Sequence, residues 1–388
     1  MVNKRILIIG DANSFLLHDI VNNISASPNL TIDILNTNPA QSIIDPSIYN
    51  KVLYPNKANL YLQKIADRVN PYLSFFLMRF FIKWCLKSSN TIYDVTHIHF
   101  FNKNFLFLNV LHLKRRTKEL VITFWGSDFY KRNEVQRNKM IPYLNFASKI
   151  IFSNPNMKGN FTDYYKNYYS KCHVLATGLD ILSKIDQLEP KNLSKKDLKI
   201  ALNIDPYKTV ITISYSSHPD NHQVEIIEHI ANRIDKNKLE NIHFVFPLTY
   251  GDTNYKQQII DSANTNKFDF TALTTPLSKE QIAKYRVASD IMIHLRDTDQ
   301  FSGSFQEYLY TNNVVITGKW LPYQFIIDKG VYFHTLSKLD DLSIALEHIL
   351  GNLENESEKS IGNKRIIAEI SHWNVLVEKH IAIYNQTK

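Results

Sequence analysis

Runs of β-branched and aliphatic residues alternate with helical stretches along this chain, and the series restarts halfway. Strand-like runs fall at Arg5–Ile9, Thr31–Leu35, His97–Phe100, Leu120–Phe124, Lys149–Ser153 and His173–Ala176. A second set runs through Thr209–Ser214, His243–Pro247, Asp269–Leu273, Ile291–Leu295, Val314–Thr317 and Gly330–His334. Strands separated by helices pair in parallel and need helices on both faces, so the pattern predicts an α/β chain. Charged, Leu/Lys/Asp-rich sequence at Asp180–Asp205 interrupts the periodicity and marks the join. A helix over Ser357–Asn385 closes the chain, its last part beginning at His372. The expected architecture is two facing, doubly wound Rossmann-like domains, 1–190 and 191–370, with the helix 371–388 packing back on the first. Ligands of such sheets bind at the C-terminal strand ends, here in an interdomain cleft.

A chain of 388 residues with 44% hydrophobic content can fill two such cores. Two cysteines, Cys85 and Cys172, give neither metal-ligand spacing nor a disulfide framework, which fits a reducing cytoplasm. The apolar run Ile6–Ile9 is short and meets Gly-Asp-Ala-Asn at once, so it reads as a first strand and not a signal peptide. No stretch approaches the roughly 18–20 apolar residues of a membrane span. Net charge +8 favours anionic partners. The basic residues are scattered and form no recognition module, which argues against nucleic acid. Pro71–Lys87 stands apart: Arg79, Lys83 and Lys87 recur every fourth residue, while Phe75, Phe76, Phe80, Ile82, Trp84 and Leu86 cover much of the rest. Aromatics with aligned cations suit an anionic membrane surface, which would make the protein peripheral on the inner face of the plasma membrane. A largely buried helix with one solvated stripe reads equally well from the sequence.

The chemistry concentrates in Phe301–Gly318, FSGSFQEYLYTNNVVITG. Ser302-Gly303-Ser304 opens a helix, and Glu307 lies one turn inside it. N–H groups at a helix start attract anions, and a carboxylate one turn in can hold ribose hydroxyls. That pairing suits a nucleoside diphosphate. Two other βα turns carry polar clusters. Trp125-Gly126-Ser127-Asp128 follows a strand, and Asp128 is placed to accept a proton from an attacking hydroxyl or to cap a helix. Ser216-Ser217-His218-Pro219-Asp220-Asn221-His222 follows the first strand of the second series and would face donor phosphates. His97 and His99 share a strand face, a spacing that can hold a metal but more often packs or hydrogen-bonds. Asp297-Thr298-Asp299 spells a metal-binding Asp-x-Asp, yet lies deep in the second half beside the anion loop, so no metal is expected. Signatures of dinucleotide enzymes, P-loop NTPases, serine hydrolases and zincins are missing, and no cofactor is expected.

Phe124–Tyr130 resembles the Trp-Gly-Ala-Asp-Leu-Tyr segment of glycosyltransferase family 56, which adds N-acetyl-fucosamine to a lipid-linked intermediate of enterobacterial common antigen. The similarity continues in collinear order through Ser214–Gln223, Val245–Gly251, Leu277–Asp290 and Gln300–Val315. Ser302 and Ser304 stand where that family has glycines, Ser217 replaces another glycine, and His218 replaces an aspartate. Glu307 also resembles the ribose-binding glutamate of family 4, with Asp299 in the first position of that family's Glu-x7-Glu pair. The basic pair that family 4 uses on the diphosphate has no counterpart at the equivalent turns, leaving amides, Ser217, Ser302 and Ser304, with Arg296 or Lys319. The resemblance implies a GT-B glycosyltransferase without metal. Its donor, a UDP- or dTDP-sugar, would be bound by Ser216, Ser217, His218, Tyr250, Ser302, Gly303, Ser304 and Glu307. Asp128 and His99 are the candidate catalytic residues, and the acceptor would be a glycan or undecaprenyl-linked saccharide. A non-catalytic homologue acting as partner subunit or glycan-binding protein, and a nucleotide-sugar epimerase of the same fold, are the alternatives.

Overall fold

The computed structural model describes residues 3–38, 43–53, 61–62, 65–66, 68–88, 90–101, 110–188 and 193–385. The chain divides into two compact units, Met1–Gly178 with Leu376–Lys388, and Leu179–Val375. The first unit holds β1 (Lys4–Gly10), β2 (Leu30–Asn36), β3 (Lys51–Leu53), β4 (Tyr93–His99), β5 (Thr117–Phe124), β6 (Ala147–Phe152) and β7 (Cys172–Val174). They form one sheet in the order β3-β2-β1-β4-β5-β6-β7, with every neighbouring pair parallel. The second unit holds β8 (Thr209–Ile213), β9 (Ile242–Pro247), β10 (Phe270–Leu273), β11 (Ile291–His294), β12 (Val314–Gly318) and β13 (His334–Leu336), ordered β10-β9-β8-β11-β12-β13 and again parallel.

Burial on both faces explains the unbroken apolar strands: Ile6–Ile9 and Ile291–Ile293 are completely shielded from solvent. In each sheet the first strand sits centrally, the chain winds outward on one side, then returns to wind the other way. The reversal falls between β1 and β4 in the first unit and between β8 and β11 in the second. Crevices at such reversals, beyond the carboxyl ends of the strands, are where doubly wound sheets bind ligands.

The helices that matter below are α1 (Phe15–Ser25), α2 (Pro71–Ser88), α3 (Gln223–Arg233), α4 (Lys279–Ala288), α5 (Gly303–Tyr310) and α6 (Trp373–Asn385). The closing helix expected over 357–385 is instead three, Leu353–Ser360, Asn363–Ser371 and α6, with His372 extended between the last two (φ −87°, ψ 132°). The α6 end is tied to the first sheet. Tyr384 OH meets His97 Nδ1 at 2.8 Å, Lys4 Nζ donates to the Tyr384 carbonyl at 2.7 Å, and His97 Nε2 meets Thr123 Oγ1 at 2.7 Å. Both His97 nitrogens are thereby used in holding the fold. The strand expected at 330–334 begins only at His334, because Gly330 turns at φ +90° and the Tyr332 N–H goes to Asn363 Oδ1. The short β3 has no counterpart among the strands expected from the sequence.

On α2, Leu73, Phe76, Phe80, Lys83, Trp84 and Lys87 are exposed, whereas Phe81, Cys85 and Leu86 are buried. At 3.6 residues per turn the exposed set spans an arc of roughly 100°. Aromatics and cations therefore share the outward stripe, and Leu86, expected among the outward apolar residues, faces the core. The side chains of Arg79, Phe75 and Ile82 lie outside the described residues. Burial, then the charges of Lys83, Lys87 and Arg115, push the His112 pKa down, so these cations form one cluster. Among the described residues no helix is long and apolar enough to cross a membrane.

Candidate active site

In the second unit the loop after β8 turns at once through Ser214, whose φ of +59° is unusual for a residue with a side chain. Such strained positions gather at functional sites. Ser217 is completely buried; its N–H and Oγ donate to the Tyr250 carbonyl at 2.9 and 3.0 Å, and its own carbonyl accepts from Asp252 N–H at 2.9 Å. Gly251, at φ +124°, makes this approach possible, since a Cβ there would lie 2.6 Å from the Ser217 carbonyl carbon. Ser216 is held by Asn221 Nδ2, which reaches its carbonyl and Oγ at 2.9 Å, and by Gln223 Nε2 on its carbonyl at 2.7 Å. Ser216, Ser217 and Tyr250, all expected in the donor site, are brought together. The Ser217 hydroxyl, however, is spent on joining two loops. The third expected residue of that turn, His218, points outward to Asp220 at 3.3 Å.

Across the sheet reversal, Arg296 follows β11. Its guanidinium donates to Tyr215 OH, lies 5.4 Å from that ring's centroid, and keeps Nε buried with no partner. His222, the residue before α3, meets Asp297 at 2.7 Å. Then comes the anion loop. Phe301 has φ +66°, and the Ser302 N–H donates to Asp299 Oδ2 at 2.7 Å. Asp299 is buried, which raises its pKa, but His294, the Tyr323 hydroxyl and the Ser302 N–H outweigh burial and hold it at about 2. It is a fixed anion beneath the loop. Helix α5 starts at Gly303, and the N–H groups of its first turn have no intrahelical partners. The Ser302 hydroxyl is buried without a partner.

Glu307 lies one turn in, as expected, and is buried. What holds it is not signalled by any local motif. Arg286 on α4, itself buried, donates through Nε to Glu307 Oε2 at 2.8 Å, through Nη1 to Tyr308 OH at 2.7 Å, and through Nη2 to Ser304 Oγ at 3.0 Å. One guanidinium thus locks Ser304 and Glu307 together. The other Glu307 oxygen, Oε1, faces the helix start, 3.7 Å from where a Gly303 Cβ would stand. Burial raises the Tyr250 pKa while Arg296 and Arg286 pull it back, so Tyr250 sits within electrostatic reach of both arginines. No periodicity announces Arg286, because its partner is 21 positions away on another helix.

In the first unit a cavity of about 250 Å³ opens at the β1/β4 reversal, lined by Asp11, Ser14, Leu17, Thr37, His99, Phe100 and Trp125. Phe100 turns the chain at φ +59°, as Ser214 does at the other reversal. A Cβ on Gly10 would sit 2.6 Å from Leu17 Cδ2, the mobile end of a side chain of α1. Asp11, Ser14 and Thr37 escaped the sequence reading; the available signal was their position just past the first two strands. His99 lines the cavity with neither ring nitrogen hydrogen-bonded, and Trp125 meets it edge-on at 6.1 Å. Burial, then the neighbouring His380, lowers the His99 pKa to about 3. Protonating it at pH 7 would cost about 5 kcal/mol, so it can orient a hydroxyl but is a poor proton acceptor.

Asp128 does not fit the role of an open general base. It is completely shielded from solvent, Oδ1 accepts from Trp125 and Gly126 N–H at 2.9 Å each, and Oδ2 accepts from Phe101 N–H at 2.8 Å. Nor does it cap a helix: it lies inside the short helix Ser127–Tyr130, whose N-cap position is Gly126. Its carboxylate fixes the loops after β4 and β5, and with them Phe100, Trp125 and the cavity wall. Among the described residues no group of three or more His, Cys, Asp or Glu side chains has metal-binding geometry.

No protein-family model matches this sequence, and no curated protein matches it. Solved structures do. The chain is similar to sucrose-phosphate synthase from Thermosynechococcus elongatus, with a TM-score of 0.71 at 11% identity over 99% of this chain and 98% of that one. It is similar to HepE from Anabaena, solved with UDP and glucose, with a TM-score of 0.66 at 11% identity over 99% and 100%. A glycosyltransferase from Rickettsia africae gives 0.69 at 15% identity over 99% and 98%. At these identities the likeness speaks for the fold, and with its seven- and six-stranded parallel sheets the chain has the GT-B architecture.

Proposed function

We propose that this chain is a metal-independent glycosyltransferase, moving a sugar from a nucleoside-diphosphate sugar to a hydroxyl of a glycan or lipid-linked saccharide in cell-surface polysaccharide biosynthesis. The observation that carries this reading is the Ser302–Glu307 segment. A helix start, an unpartnered buried Ser302 hydroxyl and a carboxylate locked by Arg286 converge at the reversal of the second sheet. Glu307 Oε1 would take ribose hydroxyls. The first turn of α5, the Ser302 hydroxyl and Arg296, whose buried Nε lacks a partner, would take the diphosphate. These groups would stabilise the leaving diphosphate as charge develops on it, which is the main electrostatic demand of the reaction. HepE, of the same fold, was solved with UDP and with UDP-glucose, which supports a uridine donor; the resemblance to family 56 keeps dTDP-sugars in the set.

The acceptor would bind to the first unit, where His99 offers a neutral nitrogen to the attacking hydroxyl and Asp128 holds the surrounding loops in place. Transfer gains from such orientation because the reacting groups no longer have to find one another. The exposed aromatic and basic stripe of α2 would dock this unit on an anionic bilayer and bring it to a lipid-linked acceptor. The test is incubation with UDP- and dTDP-sugars, with and without lipid-linked saccharides, while following nucleoside diphosphate release. Acceptor-dependent release supports the reading. Interconversion of the free sugar nucleotide, or no thermal shift with any nucleoside diphosphate, overturns it.

A further inference from the structure

Two residues that line the cavity of the first unit carry buried polar atoms that no described part of the fold satisfies. His99 is 2% exposed, and both ring nitrogens lack partners; the indole Nε1 of Trp125 is also buried and unpartnered. Native proteins rarely leave such groups bare, because each costs its full desolvation unless something else bonds to it. Neutral imidazole offers one donor and one acceptor, and indole one donor. Leu17 and the rings of Phe100 and Trp125 supply apolar wall, and Ser14 and Thr37 add hydroxyl-bearing residues. Among the described lining residues none carries positive charge, and Asp11 contributes a carboxylate fixed by Asn13 N–H at 2.9 Å and Asn38 Nδ2 at 3.1 Å. That carboxylate also lies ahead of α1, offsetting the positive end of its dipole.

We propose that this cavity binds one neutral monosaccharide unit and excludes phosphorylated and acidic sugars. Sugar hydroxyls each donate and accept, which matches the mixed demands of His99 and Trp125, while C–H faces pack on the aromatic wall. Among the described lining residues an anionic sugar would meet Asp11 and no counter-cation. At about 250 Å³ the volume falls just below the roughly 300–1,000 Å³ of drug-sized sites, which suits a single ring. Calling this sugar the acceptor terminus rests on the transferase reading; the binding itself does not.

The experiment is ligand-observed NMR on the full chain with methyl glucoside, methyl galactoside and methyl N-acetylglucosaminide, against glucuronate and glucose 6-phosphate. At least one neutral glycoside should bind, and neither charged probe should. Trp125→Phe keeps the ring but removes the donor, and should weaken the neutral probe about tenfold. Asp11→Asn, at a partly exposed position, should let glucose 6-phosphate in, and serves if Trp125→Phe does not fold. Equal or better binding of the charged probes, or no neutral binding, overturns the proposal. UDP titration of the same sample separates the two readings. UDP bound without any glycoside defeats the cavity assignment alone, whereas glycoside bound without any nucleotide defeats the transferase assignment alone.

Discussion

Arg286 and Glu307 form a buried ion pair, Nε to Oε2 at 2.8 Å, between two helices of the second unit. Each is nearly excluded from solvent, so removing one partner strands the other's charge. Glu307→Ala should therefore destabilise the protein by about 3–5 kcal/mol. Glu307→Gln keeps an acceptor for Arg286 and should cost less, yet it weakens the bond to ribose from charge-assisted to neutral. Nucleoside diphosphate affinity in the Gln variant should drop about tenfold, read by calorimetry on protein whose melting is checked in parallel. Unchanged affinity in the folded Gln variant removes Glu307 from the donor site.

Two glycines should respond in opposite directions. Gly251→Ala places a Cβ 2.6 Å from the Ser217 backbone at a φ of +124°, so the loop pair must separate. A loss of about 1–3 kcal/mol is expected, together with weaker nucleoside diphosphate binding, because Ser217 and Tyr250 move apart. Gly159 sits within the helix Pro155–Tyr164, and a Cβ there meets nothing within 4 Å. Gly159→Ala should stabilise by about 0.5–1 kcal/mol. Chemical denaturation of both variants checks the pair, and a neutral Gly251→Ala would show that the close approach is not required.

Asp128 makes a pH prediction whose sign is opposite to the usual carboxylate. Burial raises its folded pKa to about 6, above the ordinary 3.8, despite the N–H groups that pull it down. The folded state then holds the proton more tightly than the unfolded chain. Its contribution is full below about pH 4 and is lost as pH rises through 6, a change of about 3 kcal/mol. Asp299, held at about 2, behaves conversely: its contribution is present above pH 4 and is lost as pH falls towards 2. In Asp128→Asn the stability difference from wild type should therefore change by that amount between pH 4 and 6, and a flat difference would show that Asp128 titrates normally. Turnover should fall more than nucleoside diphosphate affinity, since only the loops of the first unit are released.

How much of this could be read from the chain follows from range. Unbroken runs such as Ile6–Ile9 and Val314–Thr317 announce buried parallel strands by local pattern alone, and the restart of that pattern gives two sheets. Ser302–Ser304 with Glu307 was legible because a helix start and a carboxylate one turn in are neighbours in sequence. Arg286 was not, since its bond to Glu307 is decided by how α4 packs beside α5. Asp128 was located correctly at a strand end, but its burial could not be seen: the Phe101 donor comes from a different strand end. The cavity groups Asp11, Ser14 and Thr37 have no motif in common. They meet only because β1 and β2 end side by side.

The α2 stripe supplies the last prediction. Phe76, Phe80 and Trp84 are 64%, 62% and 44% exposed, unusual for three large aromatics in one arc, and Lys83 and Lys87 lie in the same arc. Leu62, Ile65 and Val69 just ahead of the helix are exposed as well. Exposed apolar side chains clustered in this way mark an interaction face, and aligned cations favour an anionic one. Each cation near an anionic bilayer contributes about 1 kcal/mol, so Lys83→Gln with Lys87→Gln should weaken vesicle binding about thirtyfold. Phe80→Ser with Trp84→Ser should weaken it on neutral and anionic vesicles alike, because it removes insertion and not attraction. Turnover on a water-soluble acceptor should be spared in both pairs, since neither pair lines the cavity. Co-sedimentation with phosphatidylglycerol vesicles at low and high salt separates the terms, and a wild-type protein that ignores these vesicles at low salt would assign the stripe to some other partner.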